Sequence, residues 1–330
     1  MENLEEAFYN RFKDSGFDPL LFTGAFINFS TTPFSFVFNF TLAYIAFTDR
    51  RLKADIHKLI GLASINDGIF SLGILIHFCV IASGKNFISL IDCFYFHIPN
   101  LFFFGTVNMF MFNVSADRLL HVCTQFCTPL FPLLRHLTFK IKLVVYMILC
   151  SANGIWMILL SRNYVITQPN RQVTCDITDV YAGASDPVFY SFIILQILTL
   201  TCYILVFIVA RCASDRRNNE FTKTDRKLIK SLTIIIGLMI SCWTTNGIIR
   251  YFLAPVKYTP HSWYITRCIL GIPIGVAVGS NIFVYYACST EYRNAIKEHL
   301  NRMTERFCCR KSSMVHRMPT GTLVSSKGSA

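Results

Sequence analysis

Residues 93–116 read CFYFHIPNLFFFGTVNMFMFNVSA, 24 positions without one Asp, Glu, Lys or Arg, bounded by Asp92 before and Asp117-Arg118 after. About 20 apolar residues of α-helix cross the ~30 Å hydrocarbon layer of a bilayer. Lipid offers no partner to a bare backbone N–H or carbonyl, so such a run must close its hydrogen bonds within itself, as a helix. Six further runs carry almost no charge: Pro19–Thr48, Leu59–Gly84, Leu143–Ser161, Pro187–Ala210, Ser231–Ile249 and Cys268–Thr290; the seven together cover 165 of the 330 residues. Charged residues make up only 15% of the chain and hydrophobic ones 53%, where a soluble domain carries about a quarter charged. The ~10-residue alternation of an outer-membrane barrel is absent. The sequence therefore predicts an all-α membrane protein, a seven-transmembrane helix bundle, with no room for a large soluble domain.

Orientation follows from the cations. The connections after runs 1, 3 and 5 and the C-terminal tail hold 23 of the 31 Lys and Arg; the N-terminus and the connections after runs 2, 4 and 6 hold 8. Basic connections stay in the cytoplasm, so the expected topology is N-terminus outside, tail inside, at the plasma membrane. The net charge of +12 is then a product of topology and an anionic inner leaflet, and no nucleic-acid partner is expected. Met1–Asp18 is acidic and lacks the basic start and short apolar core of a cleavable signal, so the first span serves as the targeting signal. The expected organisation is an extracellular N-terminus (1–20), the bundle (21–288), a membrane-surface helix (289–303) and a disordered cytoplasmic tail (304–330). In the third of these Tyr292, Ala295, Ile296, Leu300 and Met303 share one face, with Arg293, Lys297 and Arg302 off it, the pattern of a helix lying on lipid. Cys308 and Cys309 follow it, either as palmitoylation sites or as two reduced thiols.

Charge inside a span is expensive and marks function by default. Asp67 lies about a third of the way into the second run from its cytoplasmic end, and Asn39 in run 1 and Asn281 in run 7 stand at depths that meet it. A hydrated or cation-holding switch, a structural hydrogen-bond knot and a proton relay all fit that trio. Run 3 ends in Asp117-Arg118-Leu119, and Asp225 precedes run 6 at the same membrane face; Arg118 can pair with either acid or simply snorkel to the interface. On the outer, oxidising side stand Cys93, Cys175, Cys79 and Cys268. A Cys93–Cys175 bond would pin the longest outer connection over the bundle, with Cys79 and Cys268 as rival partners. From Cys93 to Arg118 the chain spans ~37 Å as a helix, one crossing from headgroup to headgroup.

Taken in order and at depth, these residues resemble the rhodopsin-like (class A) G-protein-coupled receptors over about residues 25–303. Asn39 and Asp67 match polar positions of spans 1 and 2; Cys93 and Cys175 match the loop-to-span-3 disulfide; Asp117-Arg118-Leu119 is similar to an Asp-Arg-Tyr motif. Tyr203 matches the span 5 tyrosine, Cys242-Trp243 a Cys-Trp-X-Pro motif, and Asn281-Ile282-Phe283-Val284-Tyr285 an Asn-Pro-X-X-Tyr motif. Leu119 replaces the usual tyrosine, and Leu195, Thr245 and Ile282 stand where prolines are usual. The Asp-Arg-Leu triplet and lost prolines are similar to divergent nematode chemosensory serpentine receptors of the srsx type.

The resemblance implies an extracellular small-molecule or peptide ligand and a heterotrimeric G protein engaged inside, with arrestin and membrane lipid as further partners. Asp117, Arg118, Tyr203, Asp225 and Tyr285 would form the activation switch, and Asn39, Asp67 and Asn281 the intramembrane network, with a cation near Asp67 and otherwise no cofactor. His97, Asn100 and Trp243 would face the ligand, although His97 also reads as a helix-end histidine facing water and Trp243 as core. Asn100 stands where amine receptors carry an aspartate, and Gly275 where opsins carry their lysine, so neither an amine anchor in span 3 nor a retinal Schiff base is expected. A chemosensory receptor is the expected function, a neuropeptide receptor the alternative within the fold. A seven-span transporter or ligand-gated channel is the alternative class. No paired nucleophile and base sits at a common depth, so enzymatic activity is not expected.

Overall fold

The computed structural model describes residues 2–126, 139–216 and 259–315, with eight helical positions between 233 and 249. Its helices are α1 (Glu2–Phe12), α2 (Pro19–Phe29), α3 (Thr32–Thr48), α4 (Asp55–Ser71), α5 (Gly73–Ala82), α6 (Leu90–Phe126), α7 (Phe139–Thr167), α8 (Ile177–Val180), α9 (Ser185–Arg216), α10 (Pro260–Gly279), α11 (Asn281–Cys288) and α12 (Thr290–Val315). Among the described residues six stretches are long and apolar enough to cross a membrane: Pro19–Thr48, Asp55–Ala82, Leu90–Cys123, Lys140–Thr167, Asp186–Val209 and Pro260–Gly279. The run Ser231–Ile249 falls largely outside the described residues.

Three expected spans are helix pairs: α2 with α3, α4 with α5, which part at Leu72, and α10 with α11. α2 starts at Asp18, whose Oδ1 accepts from the backbone N–H of Leu20 (2.9 Å) and Leu21 (3.0 Å) with Pro19 in the first turn, an arrangement that satisfies orphan donors. It gives way to α3 at Ser30-Thr31, where Pro33 has no N–H to continue the ladder. α10 begins eight residues before the charge-free run it belongs to. Thr259 Oγ1 accepts from Ser262 N (3.2 Å) while Thr259 N donates to Ser262 Oγ (3.0 Å), a capping box ahead of Pro260. α10 and α11 part at Ser280, whose hydroxyl donates to the Ala277 carbonyl at 2.8 Å. The break thus survives without the proline absent at Ile282.

α6 is the central column: 56% of its apolar window is buried, against 22% for the fourth and fifth spans. Those outer helices turn Ile148, Ile194, Ile197 and Phe207 outward, the apolar surface lipid covers. Small residues set two crossings. Gly271, Gly275 and Gly279 recur every four residues on α10 and face Asn28, Thr31 and Ser35 of the first span. Gly154 of α7 lies so close to α6 that a Cβ there would stand 2.9 Å from the Phe102 carbonyl oxygen. Where lipid is as apolar as Leu, such close backbone approach is what holds helices together.

Three features differ from expectation. The N-terminus is not bare: α1 buries Phe8 and Phe12, with Phe8 stacked on Tyr264 (5.5 Å) and edge-on to Trp263 (5.6 Å). The helix expected over 289–303 runs on to Val315, so the stretch assigned to a disordered tail begins as helix. Its apolar face is also divided. Tyr292, Ala295 and Ile296 are buried in the inner half of the bundle core, whereas Leu300 is 54% exposed.

Candidate functional site

In the middle of the bundle Asn281 Nδ2 donates to Asp67 Oδ2 at 2.9 Å, and both residues are buried. Asn39 is buried too, but its amide is donated to the Val278 carbonyl (3.0 Å) and the Ser35 carbonyl (3.0 Å). It therefore staples span 1 to α10 instead of meeting the acid, because its position on α3 turns it toward the α10 backbone. Beside Asp67 lies a cavity of about 50 Å³ lined by Ser64, Asn281, Tyr285 and the apolar side chains of Val107, Phe110 and Val114. Asn281 Oδ1 and Asn39 Oδ1 have no protein partner among the described residues. Buried acceptors without partners are costly, and this space exceeds the ~10–15 Å³ that a water needs. A carboxylate, an orphaned amide oxygen and a hydroxyl are hard oxygen donors, the set a small alkali cation takes.

Near the C-terminal end of α6, Arg118 Nη2 donates to Asp117 Oδ2 at 2.9 Å, with both side chains only 10% exposed. An exposed, weak pair was the natural expectation for a helix end; the packing of α7 buries it instead. Lys142 Nζ stands 3.6 Å from the same carboxylate, and the Tyr146 hydroxyl donates to it at 3.4 Å. Arg118 Nε and the Tyr203 hydroxyl are buried without partners among the described residues. Tyr203 and Tyr285 belong to one buried cluster with Phe110, Val114 and Tyr292, and Tyr285 packs on Tyr292 at 4.7 Å between ring centres. Asp225 and Trp243 lie outside the described residues, as do the side chains of Cys308 and Cys309 on α12. That helix is tied down by Tyr292, whose hydroxyl is 3.2 Å from His57 Nδ1, and by Arg51, which bridges Asp49 (2.7 Å) and Glu298 (2.6 Å). The Arg51 guanidinium holds the Asp49 carboxyl below the usual carboxylate range.

The opposite end of the bundle, around Cys93, is closed by the long connection 162–186. Cys93 is joined to Cys175 with Cα atoms 5.4 Å apart, and Cys79 and Cys268 are free. Ile88 pairs with Val173 in a two-residue antiparallel ribbon (Ile88–Ser89 with Gln172–Val173). His97, a candidate ligand contact that also read as water-facing, is fully buried under this connection. Its Nε2 stands 3.1 Å from the Cys175 carbonyl, which can only accept, so Nε2 carries the proton and Nδ1 is left to receive Asn100 Nδ2 at 3.4 Å. Asn100 in turn packs against Gly73. Both side chains thus prop the connection, and neither lines the cavity beside Asp67 nor the outer one. His77 plays a similar part, its Nδ1 3.0 Å from the Thr174 carbonyl and its Nε2 3.1 Å from the Tyr264 hydroxyl.

The comparison with known families decides among the readings. A family described as "Serpentine type 7TM GPCR chemoreceptor Srsx" matches residues 32–300. The chain belongs to this Srsx family. It is a G-protein-coupled chemoreceptor, a multi-pass membrane protein. No curated protein matches it.

Sequence reasoning missed part of this Srsx receptor's outer face. Arg267 was counted with a loop, yet it sits two turns inside α10. Its guanidinium reaches Asp179 at 2.6 Å and Thr178 at 2.5 Å, and it lies over the Trp263 ring at 4.7 Å. The Thr259-X-X-Ser262 signal before Pro260 was legible and would have placed Arg267 on the helix. Asp176 and Asp179 likewise form a capping box on α8. Arg171 pairs with Glu5 of α1 and with the Tyr164 hydroxyl. These contacts bind α1, the long connection and α10 around an outer cavity of about 850 Å³.

Proposed function

We propose that the receptor sits in the plasma membrane with α1 outside and α12 inside, that residues 231–249 supply the sixth span and so complete a set of seven, and that an external small molecule drives a G protein through Arg118. The cation count along the chain supports this orientation: 23 Lys and Arg on one side of the spans against 8 on the other. The observation that carries the mechanism is the buried Asp117–Arg118 pair at the foot of the central helix. In the resting state Asp117 holds the arginine, and Arg118 Nε and the Tyr203 hydroxyl lack partners among the described residues. An active state in which residues 231–249 swing outward would free Arg118 and let Tyr203 and Tyr285 brace the opened cleft, where the Gα subunit inserts. An agonist achieves this only through its higher affinity for the open state. Asp225 is then the second partner of Arg118. Arrestin would share the opened face, and α12 would lie along the inner leaflet beyond Tyr292, anchored by acyl chains on Cys308 and Cys309.

Asp67, Asn281 and Ser64 would hold a water or an alkali cation that stabilises the resting state by binding it preferentially. A cation there makes the melting temperature of the purified receptor rise with NaCl relative to choline chloride, and Asp67→Asn abolishes the difference. The coupling reading is tested by reconstituting the receptor with a heterotrimeric G protein and measuring nucleotide exchange. Arg118→Ala is expected to lower basal and stimulated exchange; equal rates in the variant and the unaltered receptor would defeat it.

A further inference from the structure

The outer cavity is bounded by α1, the long connection and the start of α10. Three carboxylates line it, Glu5, Glu6 and Asp179, against two guanidiniums, Arg171 and Arg267, which leaves one net negative charge at neutral pH. Both guanidiniums are already neutralised: Arg171 by Glu5, and Arg267 by Asp179 at 2.6 Å with Asp176 a further 3.8 Å away. Glu6 alone among the five makes no ion pair or hydrogen bond with a described residue. Rings surround the space. Tyr9 and Phe87 meet edge to face at 5.1 Å, and Trp263 is packed by Phe8. Two of these rings already carry cations on their faces, Arg267 on Trp263 at 4.7 Å and Lys13 on Tyr9 at 5.8 Å, which shows that rings around this cavity take cations.

From this arrangement we infer that the outer cavity binds a small organic monocation, an ammonium group borne on an aromatic or alkyl body. The inference rests on the receptor reading above, since it names the ligand class that such a receptor would first meet. An anion would find both arginines already paired and would face Glu6. A neutral apolar molecule would strip water from Glu6 and return no partner. A monocation satisfies the free carboxylate, gains from the electron-rich ring faces, and leaves the two ion pairs that hold the walls together undisturbed. A volume of about 850 Å³ lies within the usual range for ligand cavities and accommodates a body as well as a charged head.

The test is isothermal titration of full-length receptor in nanodiscs, without G protein, using 2-phenylethylammonium chloride and its neutral counterpart 2-phenylethanol. Saturable binding of the ammonium is expected, weakened about three- to fivefold by Glu6→Gln, unchanged by Asp14→Asn, and clearly weaker for the alcohol. Glu6 is exposed on α1, so its substitution leaves the packed face of that helix intact. The same charge change at Asp14, outside the cavity lining, separates local contact from diffuse attraction. Absence of saturable binding, equal affinity in the Gln variant, equal affinity for the alcohol, or an equal loss with Asp14→Asn would each overturn the assignment. Nucleotide exchange is measured separately. Ammonium binding without any exchange difference between the unaltered and Arg118→Ala receptors would keep the cavity assignment and sink the coupling reading; the opposite pair of results would do the reverse.

Discussion

Asp117 and Arg118 are neighbours in sequence, and an adjacent acid and base at a helix end are ordinarily exposed and worth ~0–1 kcal/mol. Here the pair is enclosed by α7, with Tyr146 and Lys142 on the carboxylate. Breaking a buried pair by removing one partner costs about 3–5 kcal/mol because the other charge is stranded. Asp117→Ala is accordingly expected to raise basal nucleotide exchange several-fold and to lower the melting temperature of the resting receptor. A variant with unchanged basal exchange would show that Asp117 does not restrain Arg118. Tyr203 makes the opposite case. Its hydroxyl is buried without a partner among the described residues, and a group left so destabilises the state that buries it by about 1–3 kcal/mol. Tyr203→Phe should leave the resting receptor as stable or more stable in a thermal melt, while stimulated exchange falls because the hydroxyl finds its partner only in the open state. A large loss of resting stability would contradict this.

At the scale of elements, helix packing turns on small residues. A Cβ at Gly271 or Gly275 of α10 would run into the Asn28 or Thr31 side chain, one at Gly279 would lie tight against Ser35 Cα at 3.3 Å, and one at Gly154 of α7 would meet the Phe102 ring and carbonyl. Gly154→Val, with a Cβ 2.9 Å from the Phe102 carbonyl, must separate α6 from α7. Overpacking of this kind costs about 1–3 kcal/mol, so expression and thermal stability should both fall, as read by size-exclusion chromatography and melting. Gly237→Val, with nothing among the described residues within 4 Å of the added Cβ, serves as the control for the change in helix propensity alone. The glycines themselves were plain in the sequence. Their partners were not, because the face a helix presents depends on its rotation about its own axis, and an all-apolar run gives no stripe from which to read that angle. For the same reason Asn39, at the right depth for Asp67, bonds instead to the Val278 carbonyl.

At the scale of the whole molecule, the half of the bundle around Cys93 is built as a cap. The Cys93–Cys175 bond, the short ribbon, His97 and His77 beneath it, and α1 packed on Trp263 and Tyr264 join segments distant in the chain. The disulfide closes a separation of 82 residues, and cross-links of that size typically contribute 2–4 kcal/mol. Cys175→Ser should lower the melting temperature by several degrees and abolish surface expression of a folded receptor. Peptide mapping of the oxidised protein should find Cys79 and Cys268 unbridged. An antibody against a tag placed before α1 should stain intact cells, and one against residues 316–330 only permeabilised cells; the reverse staining would overturn the topology and the receptor mechanism with it.

Order along the chain was enough to establish seven charge-free runs, their cation asymmetry, an acid one third of the way into the second, and an arginine at the foot of the third, because hydropathy and charge act through local composition. Tertiary structure alone decided that Asn281 and not Asn39 meets Asp67, that His97 props a loop instead of facing water, and that Glu5, Glu6, Arg171 and Arg267, scattered over more than 260 residues, share one cavity. Those outcomes depend on how each helix is turned and how far it extends past the membrane. Contacts between helices set both, and no single stretch of sequence carries them.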